Sequence, residues 1–255
     1  MAGDRQWVLA ETNWQTVINV DYELAILPWG ATEAHNYHLP YCTDNYQATA
    51  IAERSAELAW EEGKKVVVLP TIPFGVNTQQ LDIKLTINMN PRTQAAILRD
   101  IVESLENHNI QKLVILNGHG GNDFRQMIRE IQKDTPLFLA AVNWFQIPDT
   151  QDDLHEPGDH AGELETSLML HLHEKMVRPL DEAGSGHTKR FRVTAMKEGW
   201  AWAPRLWTKV TADTGCGNPA LSTAQKGEAV FKKVVHKFSD FLIELAEIDV
   251  QNIYE

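Results

Sequence analysis

The strongest constraint on the fold is an apolar run that gives way abruptly to a polar loop at residues 23–44. ELAILPW (23–29) reads as a short buried strand ending in Pro28 and Trp29, and the loop GATEAHNYHLPYCTD follows at its carboxyl end. Open α/β sheets place their sites at that end of the strands. The loop carries Glu33, His35, His38 and Asp44 within 12 residues. Imidazole nitrogen and carboxylate oxygen are the ligands that zinc and manganese take, and a catalytic site leaves one position open for water. In an extended segment, side chains two residues apart project from one face, so Glu33 and His35 can serve two neighbouring ions from one loop. The competing reading is a polar surface loop with two histidines. Gly30, Pro40 and Asp44 frame a turn, which favours a built site. Cys42, beside it, reads as a passive thiol rather than a soft ligand.

The rest of the chain supplies the same alternation. DNYQATAIAERSAELAWEEG (44–63) has helical spacing with a polar start and a terminal Gly. Asp44 therefore falls near a helix N-terminus, where the dipole favours a carboxylate. KKVVVLP (64–70) reads as a buried strand, and DIKLTINM (82–89) alternates like a half-exposed one. Asn90 and Pro91 supply an N-cap and a first-turn proline for a crossover helix ending near 109. PLFLAAVNWF (136–145) is a further strand, and the segment 149–160 is an acidic loop. Ser222 is expected to cap the final helix.

Two more stretches carry metal-type chemistry. In KLVILNGHGGND (112–123) an apolar strand gives way to a glycine-rich turn that displays His119. Glycines there let the backbone approach a ligand, and free N–H groups at the next helix start can stabilise an oxyanion. A phosphate-binding turn is the competing reading, but GxGxxG and a Walker lysine are both missing. In HAGELETSLMLHLHEKM (160–176), Leu164, Leu168 and Leu172 form an inward stripe with Met169 and Met176 alongside. Glu165 lies on or near that stripe. Burying it unpaired would cost several kcal/mol, so it requires a metal or a cation, with an arginine salt bridge as the plain alternative. His160 and Glu163 share a face if the helix has begun by then. His171 and His173 read as helix-surface residues. Trp200, Trp202 and Trp207 suggest a lid, a pocket wall or a subunit contact.

Composition narrows the class. A chain of 255 residues suits one α/β domain, 1–255, with no repeat or linker to divide it. Its hydrophobic fraction of 43% contains no apolar run near the ~20 residues that span a bilayer, so no membrane partner is expected. Two cysteines, Cys42 and Cys216, imply no disulfide framework, and with no signal-peptide pattern in MAGDRQWVLAET the cytoplasm is the expected address. A formal net charge of -12 argues against nucleic-acid binding, which demands a basic footprint.

Taken together, TEAHNYHLPYCTD, NGHGGND and HAGELETS resemble the creatininase, or creatinine amidohydrolase, family, in the right order over residues 25–176. The resemblance implies a three-layer α/β/α sandwich with a mostly parallel central sheet. It also implies two divalent metal ions, zinc, manganese or iron, and hydrolysis of a non-peptide C–N bond in a small-molecule amide such as a cyclic amide or a formamide. Carried onto this chain, Glu33 and His119 would hold one metal, His35 the other, and Asp44 would bridge them. A metal-bridged hydroxide would attack the carbonyl, and His160 would shuttle the proton to the leaving nitrogen. Creatininase completes its second metal with a Glu where this chain has Gly121. Glu165 is the expected replacement and Glu163 the alternative. A substrate-covering Trp of creatininase is replaced by Glu156, and Gln79–Gln80 stand where relatives commonly show Glu-His, so the substrate is expected to differ, with Trp144 and the tryptophans near 200 as a new pocket wall. A non-catalytic metal- or ligand-binding relative is the alternative that these departures motivate, and an intact His160 opposes it. Homo-oligomers, hexamers among them, are expected by the same analogy.

Overall fold

The computed structural model describes residues 5–147 and 154–254. The four apolar runs form β1 (Leu24–Trp29), β2 (Val66–Val68), β3 (Lys112–Asn117) and β4 (Phe138–Asn143). They make one sheet in the order β2-β1-β3-β4, with every pairing parallel. Parallel neighbours need crossover connections, and helices supply most of them. α1 (Thr43–Glu61) joins β1 to β2, α2 (Pro91–Glu106) lies between β2 and β3, and α3 (Arg125–Gln132) joins β3 to β4. α4 (Glu163–His173) and α5 (Ala224–Glu247) complete the helical layers.

Strand alternation sends side chains to two separate cores, which is what makes three layers. Leu24 and Ile26 of β1 and Val114 and Leu116 of β3 pack with Ile51, Ala52 and Ala56 of α1, Leu168 of α4, and Val234 and Phe238 of α5. Ala25, Leu27 and Trp29 point the other way, with Leu113 and Ile115, onto Leu98 and Val102 of α2 and Met127 and Ile131 of α3. Both faces of β1 are covered, so all six of its residues are buried, as a central parallel strand requires. Truncating a fully buried side chain such as Leu98 to Ala would cost about 2–5 kcal/mol.

Several sequence expectations need correction. Residues 82–89 form no strand: Thr32 pairs with Ile87 and Gly75 with Asn88 as isolated bridges, and Leu85 adopts a φ of 64°. The stretch extends no named strand of the described residues, and its alternation leaves Leu85 and Ile87 exposed. Thr223, not Ser222, caps α5 by accepting from the N–H of Lys226, while the Ser222 hydroxyl donates to the carbonyl of Glu163. Met176 is exposed rather than part of the inward stripe, because α4 ends at His173. His160 and Glu163 do not share a helix face. His160 lies on the short strand β5 (Gly158–His160), antiparallel to β6 (Cys216–Gly217), and α4 starts only at Glu163 after Ala161 turns at φ 51°. Residues 148–153 of the expected acidic loop lie outside the described residues. Among the described residues no helix is long and apolar enough to cross a membrane.

Candidate metal centre

The cluster forms where the carboxyl ends of β1 and β3 meet the N-terminus of α1. Gly118 permits the approach, since a Cβ there would lie 2.8 Å from the carbonyl oxygen of Asp44. Asp44 sits in the first turn of α1 and is buried, as are Glu33, His35, His119 and His160.

These side chains fall into interlocking groups whose ligand atoms lie within 4.8 Å of one another: Glu33, Asp44 and His119; His35, Asp44 and Glu165; and Glu33, His35 and His160. Asp44 belongs to the first two, with Oδ1 2.9 Å from Nε2 of His35 and Oδ2 3.2 Å from Nδ1 of His119. Glu33 Oε1 is 2.8 Å from the same Nδ1 and 3.8 Å from Nδ1 of His160. Glu165 Oε2 reaches within 4.0 Å of His35.

Each imidazole has its other nitrogen tied to a backbone carbonyl. His35 Nδ1 meets Glu33 O at 3.2 Å, His119 Nε2 meets Val76 O at 3.1 Å, and His160 Nε2 meets Ala34 O at 2.9 Å. A carbonyl only accepts, so those nitrogens donate, and a ring that gives up its second proton turns an unprotonated nitrogen on the carboxylates. That is the tautomer a metal ligand needs, fixed by an outer partner. The Val76 carbonyl is itself held, because Asn122 Oδ1 accepts from the N–H of Val76 at 3.0 Å while Asn122 Nδ2 donates to Asn117 Oδ1.

Electrostatics point the same way. Burial alone would lower the pKa of His35, but Asp44, aided by Glu165 and Glu33, lifts it to about 10. Burial is likewise outweighed at His119, which Glu33 and Asp44 hold well above the ordinary imidazole value. Burial opposes ionisation of Glu33 and Asp44 too, yet the neighbouring histidines hold both below the usual carboxylate range. Burial keeps Glu165 above that range despite His35 and His160. The cluster thus balances its carboxylates with protons that a divalent cation would displace. Asp44 Oδ2, buried without a properly aligned hydrogen bond, is an open donor for such an ion.

The two candidates for the second metal separate. Glu165 stands in the cluster, whereas Glu163 turns away to Lys226 and accepts the N–H groups of His155 and Glu156. Gly121 has no room for a side chain: a Cβ would meet Val76 O at 2.3 Å and His119 Nε2 at 2.4 Å. The N–H groups of the glycine turn do not begin a helix, since α3 starts at Arg125.

Gln80 is a residue the sequence reading misplaced among substrate-covering positions. It is buried, and its amide donates to Glu33 Oε2. The expected tryptophan wall also divides. Trp207 is buried with its ring edge-on to His160 at 5.3 Å, but Trp200 and Trp202 are exposed and Trp144 lies wholly in the core, leaving Phe145 to line the cavity. That cavity, of about 300 Å³, is lined by Glu33, Asp44, His119, His160 and Glu165 and also by Leu154, Glu156 and Arg205.

Fold and cluster together define a parallel α/β protein with a metal-type centre at the carboxyl edge of its sheet. Residues 10–242 match the creatininase family, described as creatinine amidohydrolase, and the chain belongs to that family. A crystal structure of a Bacteroides fragilis protein, provisionally named a creatinine amidohydrolase, is 42% identical with a TM-score of 0.93 and covers 98% of this chain and 99% of that one. A protein of Mycolicibacterium smegmatis named mycofactocin precursor peptide peptidase is 26% identical over 85% of this chain and 83% of its own length. Two solved creatininases, a mutant in a zinc–zinc form and one with manganese, share the fold at TM-scores of 0.78 and 0.76. They are 23% and 22% identical and cover 94% and 95% of this chain and 98% and 99% of their own. Family and clustered ligands support a metal-dependent hydrolase of amide bonds.

Proposed function

We propose that this chain is a divalent-metal amidohydrolase that opens a non-peptide C–N bond of a small amide, a cyclic amide such as creatinine or a formamide. The observation that carries the reading is the set of three imidazoles, each tied behind to a carbonyl and presented in front to buried carboxylates. Glu33, Asp44 and His119 would hold one zinc, manganese or iron ion, and His35, Asp44 and Glu165 a second. Such ions, when bound, polarise an amide carbonyl and acidify water.

The chain's own groups do the rest. His160 keeps Nδ1 facing the centre because Nε2–H is held by Ala34, and the His35 ring at 4.1 Å and Trp207 edge limit its rotation. From there Nδ1 takes a proton from the attacking water and returns it to the leaving nitrogen. Gln80 fixes one oxygen of Glu33, so the other is aimed at His119. Self-association belongs to the proposal, with Trp200, Trp202 and Leu206 as an exposed apolar surface, and so does a cytoplasmic location.

Hydrolysis of creatinine, other cyclic amides, simple formamides and short peptides tests the reading on protein as purified, after chelation, and after adding back zinc or manganese. The expected result is hydrolysis of a cyclic amide or formamide that is lost on chelation, restored by metal, and abolished in His160→Ala. Stoichiometric metal with no hydrolysis would favour a non-catalytic metal-binding relative, and cleavage confined to peptides would move the chain toward the activity named for the M. smegmatis protein.

A further inference from the structure

Six carboxylates line the cavity: Glu33, Asp44, Glu156, Asp159, Glu163 and Glu165. Five have partners. Glu33 faces His119, Asp44 faces His35, and Glu165 accepts from the N–H of Ala161 near His35. Glu163 pairs with Lys226, and Asp159 lies 3.0 Å from Arg205. Glu156 is the exception: its backbone N–H is bonded, but among the described residues no ion pair or hydrogen bond reaches its carboxylate.

The wall that presents Glu156 is a held structure. Glu163, its side chain fully buried, accepts from the N–H groups of His155 and Glu156 at 2.8 and 2.7 Å and is locked by Lys226 of α5. The buried carboxylate of Glu163, paired with the partly exposed Lys226, thus fixes the turn that sets the half-buried Glu156 in the cavity lining. The nearby cation is already engaged. Arg205 stacks on Trp207 at 4.6 Å and pairs with Asp159, which leaves Glu156 as the one lining carboxylate without a side-chain partner among the described residues. Phe145 and Leu154 add apolar lining to the same cavity, and a charge-assisted hydrogen bond to Glu156 would be stronger than a neutral one.

We propose that Glu156 is a specificity-determining residue and that the site takes amides bearing a cationic group, an ammonium or amidinium, beside the scissile bond. The proposal rests on the amidohydrolase reading for its substrate class. Away from the metal centre, an anionic amide would meet Glu156, and the lining arginine there is already paired with Asp159.

Three formamides test this: N-(2-aminoethyl)formamide, N-propylformamide and N-formyl-β-alanine, which differ chiefly in the charge at the far end. Dissociation constants are measured by calorimetry on protein as purified, with formate release followed on the same samples. The cationic compound should bind about tenfold more tightly than the neutral one, and the anionic one more weakly. That ratio should fall to near one in Glu156→Gln and be partly kept in Glu156→Asp. Equal binding, a ratio unchanged in Glu156→Gln, or no binding of the cationic compound at millimolar concentration would overturn the proposal. So would a preference for the anion, which would mark Arg205 as the recognising group. Formate release separates the two readings. Cation preference without release under any metal condition overturns the hydrolase assignment alone, while release without preference overturns only the role of Glu156.

Discussion

β3 carries a buried polar residue at each end, and the two ends are finished differently. At the amino end, Lys112 donates to the carbonyl of Ala246 at 2.8 Å, and burial lowers its pKa against the pull of Glu23 and Asp249. One charge meets one carbonyl, and that end is closed. At the carboxyl end, Asn117 opens a network through His119 and Asn122 to the centre, where polar atoms outnumber partners. Asp44 Oδ2 and Gln80 Oε1 are both buried without a hydrogen bond. Each such atom costs about 1–3 kcal/mol. A fold bears that expense at one end of a sheet when a ligand completes it, and the comparison therefore teaches where the ligand belongs.

The comparison breaks most severely at Asp44, shared by two ligand groups. Asp44→Asn should remove at least about 10³-fold of metal-dependent amide hydrolysis and lower metal content, read by kinetics and elemental analysis. Gln80→Ala acts one step out, freeing Glu33 to rotate. Metal affinity from competition with a chelator should weaken about 10- to 100-fold while the fold persists. A smaller, graded effect follows from His35. In metal-free protein its pKa is raised to about 10, so its pairing with Asp44 stabilises fully below 6.5 and is lost as pH rises through 10. Thermal unfolding of chelated protein should show that share of stability declining from pH 7 to 10, while metal affinity, which requires those protons to leave, rises over the same range. At the closed end, Lys112→Met should shift stability by only about 1 kcal/mol and leave metal content untouched, because the lost hydrogen bond is offset by a removed desolvation cost.

The strands, the crossover helices and the three motifs were legible because each is local: an apolar run, a helical period, ligand-type residues in one loop. What was missed depends on partners distant in sequence. Gln80 carries an amide, not a metal-ligand group, and its role appears only when residue 33 is folded against it. The sequence favours Glu165 over Glu163 only by its place on the apolar stripe, and what holds Glu163 apart from the cluster, Lys226 on α5 and the N–H groups of residues 155 and 156, is not visible in it. DIKLTINM has a strand's alternation without a strand to pair with. The strand that carries His160 follows the same pattern, since it forms by pairing with Cys216 and Gly217, distant in sequence.

Metal content per chain, measured by elemental analysis on protein purified without added metal, tests the central claim most directly when wild type, Glu165→Ala and Glu163→Ala are compared. The account predicts close to two equivalents in wild type, a fall toward one in Glu165→Ala, and no loss in Glu163→Ala. Metal near zero in wild type, with none taken up from added zinc or manganese, would contradict it.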